Sequence, residues 1–209
     1  KHTTDRERTD NNYLAVRLAP APRTFALVSG RKYRWHGDYG NNITPTGIWR
    51  PVWMEATGPV SIKDTWVKTE VPKKGPAKLK VQVELSNNSY SKREIRIDAK
   101  VKGENFDSES YAATLETLCM PGETVFEVPL EIEDPELWYT WDLGEQNLYV
   151  ADVSVKEGTI LHDRERRSFG IRDLEMAMNP GWTIDQVEYP WTPMINGKRH
   201  YMRSACWGG

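Results

Sequence analysis

The stretch KLKVQVEL, Lys78 to Leu85, alternates polar and apolar side chains along its whole length. REIRIDAKV (Arg93 to Val101) and YVADVSV (Tyr149 to Val155) repeat this period of two. Such a period places every second side chain on the same face of a β-strand, so each segment predicts a strand with one buried face. These three segments indicate a β-sheet protein and decide the class of fold.

Seven predicted strands in all fall between residues 58 and 172, with Asn, Gly and Pro turns between them. About seven short strands in roughly 110 residues are typical of an immunoglobulin-like β-sandwich. No Cys-Trp-Cys spacing accompanies them, which excludes an antibody-type domain. The predicted strands are Val60–Val71, Leu79–Leu85, Ile95–Val101, Tyr111–Leu118, Thr124–Leu130, Leu148–Val155 and Thr159–Phe169.

The flanks of this region have different patterns. Before Gly58, only Asn12–Ala19 and Trp49–Ala56 have convincing strand patterns, too few to close a sandwich. After Arg172 the periodicity loosens, which predicts a linker, and Asn196-Gly197 then predicts a hairpin turn followed by one strand. We therefore expect an all-β chain with three parts, residues 1–57, 58–172 and 173–209.

Charge and hydropathy exclude several classes of protein. Lys and Arg number 28 against 30 Asp and Glu, for a net charge of −2. Because nucleic-acid binders need a clustered positive field, we expect no nucleic-acid partner. No apolar run approaches the roughly 20 residues of a membrane span, so no membrane partner is expected either.

Cysteine and histidine usage predicts neither a disulfide framework nor a metal site. Cys119 and Cys206 are the only cysteines and fall in different predicted parts, so both are expected to be free thiols. The histidines have no spacing that suggests metal ligands, and we expect no cofactor. They are His2, His36, His162 and His200.

Aromatic residues gather around one acid in the segment from Tyr33 to Ala56, YRWHGDYGNNITPTGIWRPVWMEA. The apolar faces of a pyranose stack on aromatic rings, and a carboxylate such as Asp38 accepts hydrogen bonds from sugar hydroxyls. A saccharide site is therefore one interpretation. The other is a Trp-rich sheet core, and for Trp49 and Trp53 the pattern favours this core position, since a strand places both on the same face.

The order of the motifs resembles glycoside hydrolase family 2, most closely its β-mannosidase-like branch. WHGDYG (Trp35 to Gly40) and GIWRPVWME (Gly47 to Glu55) match the end of the family's sugar-binding domain. FGIRDLE (Phe169 to Glu175) and INGKRHYMRSACW (Ile195 to Trp207) follow in the family's order, with Ser204 where glycine is usual. The resemblance implies the end of a jelly-roll sugar-binding domain, an immunoglobulin-like domain and the start of a (β/α)₈ catalytic barrel.

The resemblance also implies substrate-binding residues. Asp38 matches an Asp that hydrogen-bonds the sugar, with Trp35 and Tyr39 as aromatic neighbours, and Trp207 matches an aromatic residue at the end of the first barrel strand. The family often has Trp where His36-Gly37 and Tyr39 stand, which puts mannose specificity in doubt. A loop aspartate that caps a turn is the alternative interpretation of Asp38.

Neither catalytic carboxylate is expected in this chain. In the family the acid/base and the nucleophile lie on later barrel strands, beyond Gly209, so no residue here is assigned a catalytic role. The acidic pair Glu131 and Glu133 is predicted to be a solvated face. The chain opens without Met or a signal-type segment, which predicts an internal segment or a processed product.

Function therefore has three possible forms. The resemblance implies a non-catalytic piece of an exo-β-glycosidase, with a glycan substrate and the remaining domains of the parent chain as partners. A stand-alone carbohydrate- or protein-binding module that uses the surface from Trp35 to Trp53 is the alternative, and residues 58–172 could act only as a spacer. The sequence carries no localisation signal, and a bacterial periplasmic or extracellular location is a hypothesis.

Overall fold

The computed structural model describes residues 15–18, 47–48, 50–73, 75–183, 185–186 and 190–203. All regular secondary structure within these ranges is β. The chain divides into two units, one of Lys1–Met54 with Ser204–Gly209 and one of Glu55–Arg203. The second unit holds all ten described strands.

Seven strands of that unit form a sandwich of two antiparallel sheets, with orders β1-β2-β5 and β4-β3-β6-β7. Each coincides with one strand predicted from the sequence, which confirms the all-β, immunoglobulin-like prediction. The strands are β1 (Val60–Glu70), β2 (Ala77–Asn87), β3 (Arg93–Gly103), β4 (Tyr111–Cys119), β5 (Gly122–Ile132), β6 (Tyr149–Glu157) and β7 (Ile160–Phe169).

The core lies between the two sheets and follows from the period of two. In β2, Leu79, Val81 and Val83 are buried, while Lys78 and Lys80 between them are exposed. Burying a Val or Leu side chain stabilises the fold by about 1.5–3 kcal/mol, so the alternating residues of the central strands supply most of the driving force. The opposite sheet contributes buried residues in the same way, namely Ile95, Ile97, Val101, Val153 and Val155.

Tyr149 closes one end of this core. Its ring meets Phe106 edge-on at 4.9 Å and stacks on Phe169 at 5.8 Å between centroids. Its hydroxyl accepts a hydrogen bond from the backbone N–H of Glu136 at 2.9 Å. Burial raises the pKa of Tyr149. The ring thus ties the segment after β5 to the start of β6.

Cys119 at the end of β4 is buried and forms no disulfide, which confirms the prediction of a free thiol there. Cys206 lies outside the described residues. The backbone around Cys119 is fixed by Asn87, whose Nδ2 donates to the carbonyl oxygens of Cys119 and Ser91, both at 2.9 Å. Burial also raises the pKa of the Cys119 thiol.

A third small sheet follows the sandwich, in the order β10-β9-β8: β8 (Leu174–Met178), β9 (Trp191–Ile195) and β10 (Lys198–Arg199). The predicted hairpin turn is confirmed, because Asn196 and Gly197 connect β9 to β10 with φ values of 49° and 75°. Two consecutive residues with positive φ are typical of a type I′ turn. The prediction of a linker after Arg172 is wrong for β8 and β9, since these segments pair with each other.

The two strands predicted before Gly58 are not found where the structure describes them. Residues 15–18 and 50–56 lie in no strand and are exposed. Trp53 is 71% exposed, so its predicted core position is wrong; Trp49 lies outside the described residues. Alternation makes a strand only where a neighbouring strand satisfies its backbone, and no described residue pairs with either segment.

Candidate functional site

The four predicted substrate-binding residues, Trp35, Asp38, Tyr39 and Trp207, all lie outside the described residues. Their roles therefore stay predictions. The described residues do include the segment 174–203 that precedes Trp207, apart from residues 184 and 187–189, and they also include a cluster of charged side chains on the sandwich.

The segment 174–203 is held against a loop between β5 and β6 that contains residues 138–144, here called the aromatic loop. Asn196 Nδ2 donates to the carbonyl oxygen of Trp138 at 3.0 Å, and Lys198 Nζ donates to that of Leu143 at 3.2 Å. Asn196 Oδ1 also accepts a hydrogen bond from the backbone N–H of Asp173 at 2.8 Å. One turn residue thus joins the hairpin to the loop and to the end of the sandwich.

A cation lies over each of three rings in the aromatic loop. Such contacts contribute about 0.5–1 kcal/mol each at exposed sites and more where water is excluded. Because the cations come from the chain after β7, the contacts reinforce the docking of that chain. Arg172 lies 4.9 Å from the centroid of Trp138, Lys198 lies 4.4 Å from that of Tyr139, and Arg203 lies 5.0 Å from that of Trp141.

The Trp138 side chain packs against the backbone at Gly170, two residues before Arg172. A Cβ added to Gly170 would lie 2.7 Å from Trp138 Cβ, closer than carbon atoms can approach. The backbone N–H of Trp138 donates to the carbonyl oxygen of Ile171 at 2.8 Å. The FGIRDLE motif therefore needs glycine at position 170, because the indole of the aromatic loop occupies the space of a side chain.

Asp142 in the aromatic loop keeps its negative charge readily. A hydrogen bond from the Thr140 side chain is the largest cause of its lowered pKa, and the charges of His200 and Arg203 contribute further. His200 Nδ1 lies 3.5 Å from Thr140 Oγ1 and 4.0 Å from Asp142 Oδ2. The arrangement is a surface network that fixes the chain near His200.

The charged cluster lies on the outer face of the four-stranded sheet and centres on Asp98 of β3. Its carboxylate accepts hydrogen bonds from Arg96 Nε at 2.7 Å, Thr114 Oγ1 at 2.9 Å and Lys156 Nζ at 2.9 Å. Burial by itself would raise the pKa of Asp98, but the bonds from Lys156, Arg96 and Thr114 outweigh it and lower the pKa to about 2.

Asp152 on β6 is held in the same way. Arg164 Nε donates to Asp152 Oδ1 at 2.7 Å, and Arg166 Nε lies 3.9 Å from Asp152 Oδ2. The hydrogen bond from Arg164 is the largest cause of the lowered pKa of Asp152. A general acid for glycoside cleavage must hold a proton near neutral pH, so neither Asp98 nor Asp152 can fill that role.

Small residues between the charged ones leave a concavity of about 440 Å³ on this face. Ala112, Thr114 and Ser154 line it where longer side chains would fill it, and Arg96 and Lys156 also line it. The sequence alone places Arg96 and Asp98 on one face of a strand through their spacing of two. It does not predict the contact of Lys156 with Asp98, because that contact depends on the pairing of β3 with β6.

Comparison with known proteins places the chain in a family. The family model described as glycosyl hydrolases family 2 matches residues 60–172, more than half of the chain. The chain belongs to glycosyl hydrolase family 2. In this family 2 chain the matched residues cover the whole sandwich, from the first residue of β1 to just past the end of β7.

Several curated relatives are glycosidases. The chain is 26% identical over 189 residues to beta-mannosidase B of Emericella nidulans, which covers 87% of this chain and 20% of that protein. It is 29% identical over 163 residues to an exo-beta-D-glucosaminidase of Arthroderma benhamiae, covering 77% and 18%. It is 31% identical over 170 residues to a mannosylglycoprotein endo-beta-mannosidase of Lilium longiflorum, covering 78% and 17%. The chain spans about a fifth of the length of the curated relatives it matches.

Solved structures of the family share the fold of this family 2 chain. A beta-glucuronidase from glycoside hydrolase family 2 superposes with a TM-score of 0.53 at 17% identity, covering 68% of this chain and 14% of that one. A family 2 member from Bacteroides cellulosilyticus superposes with a TM-score of 0.52 at 23% identity, covering 68% and 18%.

The described parts of the chain contain neither a candidate membrane-spanning helix nor a candidate metal cluster. Within those parts, no helix has the length and apolar character needed to cross a bilayer. No set of three or more His, Cys, Asp or Glu side chains in the same parts is placed to hold a metal ion.

Proposed function

We propose that this chain is a non-catalytic part of a larger family 2 exo-β-glycosidase, β-mannosidase-like in its motifs, that acts in carbohydrate degradation. The observation that carries the proposal is the family match over residues 60–172, together with relatives named as β-mannosidases and glucosaminidases. The chain spans about a fifth of their length, which leaves most of such an enzyme to other residues.

In this proposal the sandwich holds the parts on either side of it in position. The docking of segment 174–203 on the aromatic loop supports that role, because Asn196 and Lys198 fix the hairpin to the sandwich through backbone carbonyls. A strand that leaves the hairpin would then begin in a defined direction. Trp207 would reach the substrate from that strand.

Asp38 has the most specific role proposed here. Its carboxylate would accept hydrogen bonds from the hydroxyls of the bound sugar, and Trp35 and Tyr39 would pack beside it. A hydrogen bond to a charged group contributes about 1.5–3 kcal/mol, which corresponds to a factor of roughly 10 to 100 in rate.

The first experiment asks whether the 209-residue chain is itself active. We expect no release of nitrophenol from p-nitrophenyl β-mannoside, β-glucosaminide, β-galactoside or β-glucuronide above the buffer blank. The physical reason is the proposed absence from this chain of the paired carboxylates that serve as acid/base and nucleophile in the family. Turnover that co-elutes with the pure chain would contradict the proposal.

The second experiment changes Asp38→Ala in the intact parent enzyme. We expect kcat/KM to fall roughly 10- to 100-fold with no change in melting temperature, because a charged hydrogen bond to substrate is lost. Asp107→Ala is the matched control, since Asp107 is an exposed loop aspartate of the sandwich. Equal kcat/KM values for the two variants would remove Asp38 from the substrate site.

A further inference from the structure

A groove runs along the seam where the two sheets of the sandwich meet. β1 and β7 are the outermost strands of their sheets, and Asp64 of β1 bonds to Arg167 of β7 at 2.8 Å across the seam. The groove between them has a volume of about 650 Å³. Clefts of about 300–1,000 Å³ are the usual size of small-molecule sites.

Trp66 forms an apolar wall of this groove. Its neighbours Thr65 and Val67 are 3% and 8% exposed because they point into the sandwich, which turns Trp66 outward, where it is 60% exposed. Lys68 Nζ lies 4.9 Å from the ring centroid. Leu174, also 60% exposed, lines the same groove. Single exposed apolar residues are common on protein surfaces, so the exposure of Trp66 does not by itself indicate a ligand site. The polar side chains around Trp66 decide whether the groove can bind a ligand.

Those neighbours can both donate and accept hydrogen bonds. Arg167 Nη2 donates to Asp64 Oδ1 at 2.8 Å and to Glu165 Oε1 at 2.6 Å, and its remaining N–H groups can serve a ligand. Arg172 also lines the groove. The groove therefore combines an indole face, two guanidinium groups and a carboxylate.

We propose that the Trp66 groove binds a β-linked pyranose oligosaccharide. The apolar C–H face of a pyranose would stack on the indole, while Asp64 accepts from its hydroxyls and Arg167 donates to them. The choice of a saccharide as the ligand rests on the proposed role in carbohydrate degradation. A protein partner would need about 800 Å² of surface with an apolar centre, whereas charged side chains border this groove.

The binding test uses the 209-residue chain and isothermal titration calorimetry. The probes are β-1,4-linked mannohexaose, cellohexaose and a β-1,4-linked mannuronate hexasaccharide. Binding of a neutral probe would show recognition through stacking and hydroxyls, and preference for the mannuronate probe would show that the arginines bind its carboxylates. Either result supports the groove if it depends on Trp66, and no binding of any probe overturns it.

Trp66→Ala should weaken binding by about tenfold or more, because the stacking surface is removed. Trp141→Ala is the matched control, since Trp141 is 68% exposed, has Arg203 over its ring and lies outside the groove. It should leave the affinity unchanged. Unaltered affinity in Trp66→Ala, or an equal loss in both variants, would place the binding elsewhere and overturn the inference.

Asp64→Asn is a second variant that tests the groove, for the case that Trp66→Ala proves unstable. The Asp64 side chain is 62% exposed, so the amide fits the same space, and binding should weaken severalfold while the melting temperature changes little. Affinity equal to that of the native chain would count against the groove. These experiments measure binding alone, whereas the proposed function is tested by turnover in the parent enzyme. The groove and the proposed function can therefore fail separately.

Discussion

The carboxylate of Asp98 is only 11% exposed, yet it keeps its charge because three side chains donate to it. Its pKa is about 2 in the folded chain, against about 3.9 for an unfolded chain. A lowered folded-state pKa adds stability that is fully present above the unfolded pKa. That stability is lost as the pH falls through the folded pKa.

Asp98→Asn should therefore lower the free energy of unfolding by about 1–2 kcal/mol at pH 7. The difference from the native chain should shrink as the pH falls from about 4 towards 2, because the native carboxylate is then protonated as well. Urea unfolding at a series of pH values measures this difference. Glu131→Gln, at an exposed position of β5, should stay within about 0.5 kcal/mol at every pH. A pH-independent deficit for Asp98→Asn would show that charge is not the cause.

At the scale of secondary structure, the hairpin between β9 and β10 depends on one side chain and one backbone conformation. Asn196 bonds to Trp138 and Asp173 through its side chain, and it has a positive φ that Ala adopts only at a cost of about 1–2 kcal/mol. Asn196→Gly removes the bonds but tolerates the conformation. Asn196→Ala removes the bonds and adds the strain.

We expect both Asn196 variants to lose amide protection in β9 and β10, and Asn196→Ala to lose more. Hydrogen exchange measured by NMR checks this, with the amides of β3 as an internal reference that should not change. Full protection in Asn196→Gly would mean that the side-chain bonds to the aromatic loop do not hold the hairpin. Equal losses in the two variants would mean that the turn conformation adds nothing.

The strands also show what a period of two can and cannot predict. Every strand of the sandwich was predicted, because residues such as Leu79 and Val81 alternate with charged ones over many positions. β8 was missed since it has only five residues and its partner β9 begins well beyond a loop. Lys156 could not be assigned to Asp98 because the pairing of β3 with β6 is a property of topology. The predicted sugar-binding residues lie outside the described part and stay predictions.

On the scale of the whole molecule, the described residues of Glu55–Arg203 form a sandwich with a large apolar core and a small sheet with little buried apolar surface. The sandwich buries apolar residues from both of its sheets, whereas Ile195 is the one buried apolar residue within β8, β9 and β10. Segments with little buried apolar surface open at lower free energies than the core. The small sheet should therefore open while the sandwich stays closed.

Native-state hydrogen exchange should accordingly give two levels of opening free energy. Amides of β2, β3 and β6 should exchange only through global unfolding, and those of β8 and β9 at a clearly lower free energy. Low concentrations of urea separate the two levels, because global openings depend steeply on denaturant. A single common level for both sets would mean that the hairpin and the sandwich unfold together.

The free thiol of Cys119 has a practical consequence. It is fully buried at the end of β4, and burial raises its pKa, which keeps the reactive thiolate scarce while the sandwich stays closed. In a Cys206→Ser background, the rate at which a maleimide labels Cys119 would report how often the sandwich opens. The native thiol thus reports the opening of the purified domain without an added probe.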